Sequence, residues 1–225
     1  MQTLPKQPYP PTLWVPCDEQ HAKERVIKSP RLIAKATRYS ARVEVEQTSS
    51  CENTTTLRVT TEGKPETIWI ERSVPEKQLD GNGMNLVDWS PDGKLLLVEA
   101  WRWTQAPNDV GVDKRILLFA SGSWSMSEIE TDSFLADQTD RSCWLEFKLL
   151  GFTPEGRIAM GIDITQYYEV DEQQLSDIPL NKRCTEKHET WAVDPTTQHH
   201  SPLSNDFHPR RYSERSRLHE HRQTN

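Results

Sequence analysis

The stretch "NLVDWSPDGKLLLVEAWRW", residues 85–103, decides how the chain is read. An apolar run ends at Trp89, Ser90-Pro91-Asp92-Gly93 interrupts it, and a second apolar run starts after Lys94. Pro91 sets φ for the first turn position, Asp92 can accept hydrogen bonds from nearby backbone N–H groups, and Gly93 can take φ > 0. This is a strand, a turn and a strand, unless Asp92 is a reactive acid. A second copy decides between the two. "LLGFTPEGRIAMGID", 149–163, lies over "LVDWSPDGKLLLVEA", 86–100, with Pro154 63 residues after Pro91. Glu155 stands in place of Asp92, an exchange that a turn tolerates and a catalytic carboxylate usually does not. Asp92 is therefore read as a turn residue.

Strand patterns extend outward from these two units. "RLIAKATRYSARVEVEQ", 31–47, starts with a helix-compatible segment and ends in the apolar/charged alternation of a half-buried strand. "TLRVT" and "TIWIE" are strands joined by "TEGKPE", and "DGNG", 80–83, reads as a turn. After "KLLLVEAWRW" the sequence predicts a loop at 104–113, then the strands "KRILLFAS" and "SWSMSEIE". "CWLEFKLLGFT" and "RIAMGIDITQYY" flank the turn "PEG", and a polar connection, 169–187, leads to the strand "HETWAV".

With these residues in view, "WSPDGKLLL" resembles the repeat core of TolB-type and related WD40-like β-propellers, with "FTPEGRIAM" as a degenerate copy. The resemblance covers about 75 to 110 residues well and the rest of the chain only by strand pattern. It implies blades, four-stranded antiparallel sheets that serve protein binding and form accessory domains of some peptidases. The chain departs from the family in number, since two clear units and one partial unit do not close a ring of about four to eight blades. The expected fold is thus all-β, with four-stranded antiparallel blade-like repeats forming a partial propeller or a sandwich-like stack. The expected organisation is a flexible proline-rich arm at 1–30, a β-repeat domain at 31–203 and a basic, disordered tail at 204–225. The repeat units fall at about 31–84, 85–142 and 143–203.

Composition narrows the function classes. Fifteen prolines against nine glycines favour loops over long helices, and eight tryptophans in 225 residues favour sheets and binding faces. The net charge of −7 divides into about +2 over residues 206–225 and −9 elsewhere, and an acidic body argues against nucleic acid as a partner. No apolar run is long enough for a membrane span, and the N-terminus lacks a signal-peptide core. Taken literally, that places the chain in the cytoplasm. Cys17, Cys51, Cys143 and Cys184 form no CxxC, which argues against a zinc ribbon. As the pairs Cys17–Cys51 and Cys143–Cys184 they would staple each half in a periplasmic or secreted protein; as four reduced thiols they fit an intracellular adaptor.

Chemical candidates are sparse. There is no GxSxG elbow, phosphate loop or dinucleotide fingerprint. Five of seven histidines lie between 199 and 221, in the least structured segment, so neither a metal nor a cofactor is expected. Asn53-Thr54-Thr55 fits a glycosylation acceptor. The aromatic set is the most suggestive. Trp101 and Trp103 share one strand face with Arg102 on the other, and with Asp109, Asp113 and Trp124 they form the candidate binding residues. The expected function is a non-enzymatic binding or scaffold protein, able to form a homo-oligomer, that meets a protein partner through the Trp101/Trp103 strand and the 104–113 segment. The alternative is a hydrolase or carbohydrate-active β domain using two of Glu99, Asp109, Asp113 and Asp163 as paired carboxylates.

Overall fold

Alternating side chains build three antiparallel sheets in a computed structural model that describes residues 24–50, 52–61, 64–73, 81–106, 109–131, 143–166, 187–204 and 206–216. The first sheet contains β1 (Arg25–Lys28), β2 (Leu32–Ala34), β3 (Ser40–Gln47), β4 (Asn53–Thr61) and β5 (Lys64–Ser73). The second is a four-stranded meander of β6 (Gly81–Trp89), β7 (Leu95–Ala106), β8 (Asp109–Ala120) and β9 (Ser125–Ile129). The third repeats that meander with β10 (Cys143–Phe152), β11 (Ile158–Gln166), β12 (Lys187–Val193) and β13 (His200–Leu203). The fold is all-β, with antiparallel four-stranded sheets as its unit.

Burial explains the sequence pattern. On β3, Ala41, Val43 and Val45 are buried in the core between the first and second sheets, while Arg42, Glu44 and Glu46 line the opposite face. The second sheet lies between the other two. Leu96, Val98, Leu117 and Phe119 face the first sheet, whereas Leu97, Ile116 and Leu118 face the third. Both faces being covered, "LLLV" and "ILLF" are continuous apolar runs rather than alternating ones. Each large side chain buried in this way stabilises the stack by about 1.5–3 kcal/mol.

The two repeat units share a backbone irregularity as well as a turn. A β-bulge interrupts the β6–β7 register between Leu86 and Asp88, and another interrupts β10–β11 between Leu149 and Gly151, at the corresponding place in the repeat. Each turn closes through a glycine N–H, from Gly93 to the Ser90 carbonyl (2.8 Å) and from Gly156 to the Thr153 carbonyl (3.0 Å). Both glycines have positive φ, 70° and 84°. A side chain at Gly93 would also strike Thr37, so that turn packs on the segment between β2 and β3.

Several expectations shift. Residues 31–39 do not start a helix: Leu32 and Ala34 are buried with Ile33 exposed between them, the period-two pattern of a strand. Gly81–Gly83 belong to β6 rather than to a turn. The loop expected at 104–113 is instead the continuation of β7 and β8, paired residue by residue from Leu95↔Ala120 out to Ala106↔Asp109. Strand also lies inside both expected tails. β1 falls within 1–30, and β14 (Ser213–Arg215) falls within 204–225, pairing with β2 at the end of the first sheet.

β14 is fixed there by a buried carboxylate. Asp88, 0% exposed, accepts a hydrogen bond from the Tyr212 backbone N–H (3.1 Å) and one from the Ser213 hydroxyl. Arg211 donates to the Val87 carbonyl (2.9 Å) and Arg215 to the Leu86 carbonyl (3.0 Å), so the segment runs along the bulged strand of the second sheet. Gly151 of the third sheet lies against Asp88 and Arg211. Ser213→Ala should destabilise the chain by about 1–3 kcal/mol in urea unfolding, because it leaves a buried carboxylate oxygen short of a donor. Asp88→Ala/Ser213→Ala should cost clearly less than the sum of the two single changes, since both remove the same bond.

Candidate functional site

Two places merit a functional reading. The first is the end of the stack where the repeat turns lie. Ser90, Pro91, Asp92 and Leu95 of the second sheet face Pro154, Glu155, Gly156 and Arg157 of the third, with Asp194, Pro195 and Thr196 from the β12–β13 turn. The cleft between them measures about 380 Å³. Three turns thus supply three prolines and three carboxylates, and Arg157 is anchored by a 2.8 Å bond to the Ser201 hydroxyl.

Each carboxylate is committed to its own turn. Asp92 Oδ1 accepts from the Ser90 hydroxyl (2.7 Å) and the Lys94 N–H (3.1 Å). Asp194 Oδ1 accepts from the N–H groups of Thr196 and Thr197, both at 2.8 Å. Burial pushes the Asp92 carboxyl up, but the bonds from Ser90 and Lys94 and the Lys94 charge outweigh it and hold it below the usual range. Glu155 is lowered first by the Thr153 hydroxyl, and Asp194 first by the N–H groups of Thr197 and Thr196. A general acid needs the opposite displacement. The cleft therefore presents fixed negative charge beside one cation, an arrangement suited to binding.

The second place is the β7–β8 hairpin. Its two strands have 12 residues each, against nine in β6 and five in β9. Trp101, Arg102 and Trp103 lie on β7 opposite Lys114, Asp113 and Val112. The Trp101 ring carries the Lys114 ammonium 4.7 Å from its centroid. Lys114 also pairs with the buried Glu99 at 2.6 Å and donates to the Phe147 carbonyl of the third sheet. Arg102 is exposed, and Asp113 is exposed with Arg115 Nε 4.0 Å away. The side chains of Trp103 and Asp109 lie outside the described residues, as do residues 107–108.

Trp124 is not part of that face. It sits in the β8–β9 turn, at the opposite end of the second sheet, in contact with Phe119 (5.2 Å between ring centroids) and Tyr39 (6.0 Å). Its φ of +52° is a backbone state that bulky residues rarely adopt, and packing against Tyr39 and Phe119, which themselves contact Trp89, holds it there. Nor do the carboxylates named for hydrolysis converge. Glu99 faces the third sheet, Asp113 lies on the opposite face of the same hairpin, and Asp163 pairs with His188 at 2.5 Å on the third sheet. Asp109 is outside the described side chains.

The remaining motifs have definite places. Asn53 is 5% exposed and accepts a hydrogen bond from Gln47 (3.2 Å), so in the folded chain it is closed to a glycosylating enzyme. His199 and His200 stack, their centroids 6.2 Å apart, and His219 and His221 lie outside the described residues. Among the described residues no three His, Cys, Asp or Glu side chains are placed to hold a metal ion. Cys17, Cys51 and Cys184 lie outside the described residues, and of Cys143 only its place at the start of β10 is described. Among the described residues no helix is long and apolar enough to cross a membrane.

Sequence reasoning missed Arg157 and Asp194 as neighbours of the repeat turns. The signal was present in "DPTT", a third turn with proline beside an acid. No protein-family model, curated protein or solved structure matches the chain.

Because Asp92, Glu155 and Asp194 bind protons less readily in the folded chain than when unfolded, their contribution to stability is complete above the ordinary carboxylate range, about pH 4. It is lost as pH falls through the lowered folded values. Urea midpoints should be level from pH 8 to pH 6 as far as these groups contribute, and should drop below about pH 4. The Asp92→Asn/Glu155→Gln/Asp194→Asn variant should show a shallower drop.

Proposed function

We propose that the chain is a non-enzymatic binding or scaffold protein, a partial stack of sheets akin to TolB-type and WD40-like blades, that meets a protein partner through the β7–β8 hairpin. One observation carries this reading. Among the described residues the hairpin extends past both of its neighbours, with β6 paired to residues 96–103 of β7 and β9 to residues 116–120 of β8. Where its outer part begins, Arg102 and Asp113 are exposed charges. Natural sheets keep edge strands short or covered, so a long uncovered one is a feature with a use. The cleft at the repeat turns agrees with a binding role, because its carboxylates are held ionised by their own turns.

A photo-crosslinking residue placed at Arg102, on the hairpin, and separately at Ser123, in the turn at the other end of the sheet, tests the reading in cells that express the chain. A discrete adduct with one protein is expected from position 102 and none from position 123. Equal labelling from both positions, or no discrete adduct from 102, would sink it.

A further inference from the structure

We infer that the outer edge of β8 is a strand-addition site for an extended, positively charged segment of a separate partner protein. The inference rests on the hairpin reading above and specifies how the partner is held. Along β8, residues 116–120 pair with β9 and residues 109–115 have no strand on that side among the described residues. Seven residues at about 3.3 Å each give an open edge of roughly 23 Å, long enough for a strand of ordinary length. A groove of about 220 Å³ follows this edge from the point where β9 stops, lined by Asp113, Lys114, Arg115 and Ile116 on one side and Glu128, Ile129, Glu130 and Thr131 on the other.

Charge selects the occupant. The two cations in the groove are already engaged elsewhere: Lys114 by Glu99 and the Phe147 carbonyl, Arg115 by Glu71 of the first sheet. Asp113, Glu128 and Glu130 are exposed, and their only ion pair among the described residues is the 4.0 Å approach of Arg115 to Asp113. The groove thus borders a strand edge that has no partner strand among the described residues, and it carries three exposed carboxylates, of which Glu128 and Glu130 have no ion pair among the described residues. An added strand satisfies the backbone groups through main-chain hydrogen bonds, and its side chains supply specificity. Lysine or arginine at alternate positions of that strand falls on one face, where it meets Asp113, Glu128 and Glu130.

Two synthetic peptides of equal charge separate strand addition from simple charge attraction. One alternates lysine and threonine over eight residues; the other alternates lysine and proline, and so lacks half of the N–H donors a ladder needs. Amide hydrogen exchange of the full chain is measured with each. The lysine–threonine peptide should slow exchange at residues 112–115 by about tenfold and the lysine–proline peptide should not. Glu128→Gln/Glu130→Gln should weaken binding of the first peptide by about three- to tenfold, as the loss of two exposed ion pairs requires. Equal binding of both peptides, or binding without protection of β8, overturns the inference. So does a chain that sediments as a dimer and is split by the peptide, because the edge is then occupied by a second copy. A discrete adduct from position 102 together with an unprotected β8 would reject strand addition alone; loss of that adduct rejects the hairpin reading itself.

Discussion

A carboxylate without exposed surface must be given hydrogen bonds, and Asp88 obtains one from the Trp89 N–H (3.0 Å) and two from residues more than 120 positions away in the chain. Left without donors it would cost several kcal/mol. Given Tyr212 and Ser213, it fixes the last strand against the bulge of β6 and so places β14 beside β2. The order of the stack depends on this return. The first and second sheets share one core, the second and third share another, and the segment 211–215 joins the end of the chain to the first two. The bulge is part of the device, because it turns Asp88 and the carbonyls of Leu86 and Val87 toward the incoming segment.

The same position in the third sheet is Gly151, with φ of +124°, and its Cα lies against Asp88 and Arg211. The repeat is therefore symmetric in its turns and bulges and asymmetric at one residue. One copy contributes a carboxylate and the other a glycine at a φ that L side chains rarely adopt. Glycine at both would leave the Tyr212 N–H and the Ser213 hydroxyl without the Asp88 carboxylate. The divergence between "LVDWS" and "LLGFT" thus follows from packing, although it looks like decay of a repeat.

What was legible in the sequence followed from local chemistry. Pro91, Gly93, Pro154 and Gly156 mark turns by the dihedral angles they favour, and the fully apolar "LLLV" marks a strand covered on both faces. β14 was not legible, because "SER" has no apolar alternation; its place is set by hydrogen bonds to Asp88. The β7–β8 connection was misread because Pro107, Asn108, Asp109 and Gly111 spread turn signals over a wider span than the turn occupies. Trp124 was assigned to a binding face by composition alone, since nothing local distinguishes an indole packed between sheets from one that awaits a partner.

The two candidate places differ in what they have already spent. At the repeat turns every carboxylate is engaged by its own backbone or by a neighbouring hydroxyl, so the cleft offers charge but few free hydrogen-bonding directions. Along β8 the reverse holds. The long cations are engaged by Glu99 and Glu71, and residues 109–115 have no partner strand on their outer side among the described residues. Electrostatic attraction without directional bonds favours encounter more than residence, whereas a run of main-chain hydrogen bonds fixes register and slows release. The cleft therefore carries charge at one end of the second sheet, and the outer part of the hairpin carries the strand edge at the other.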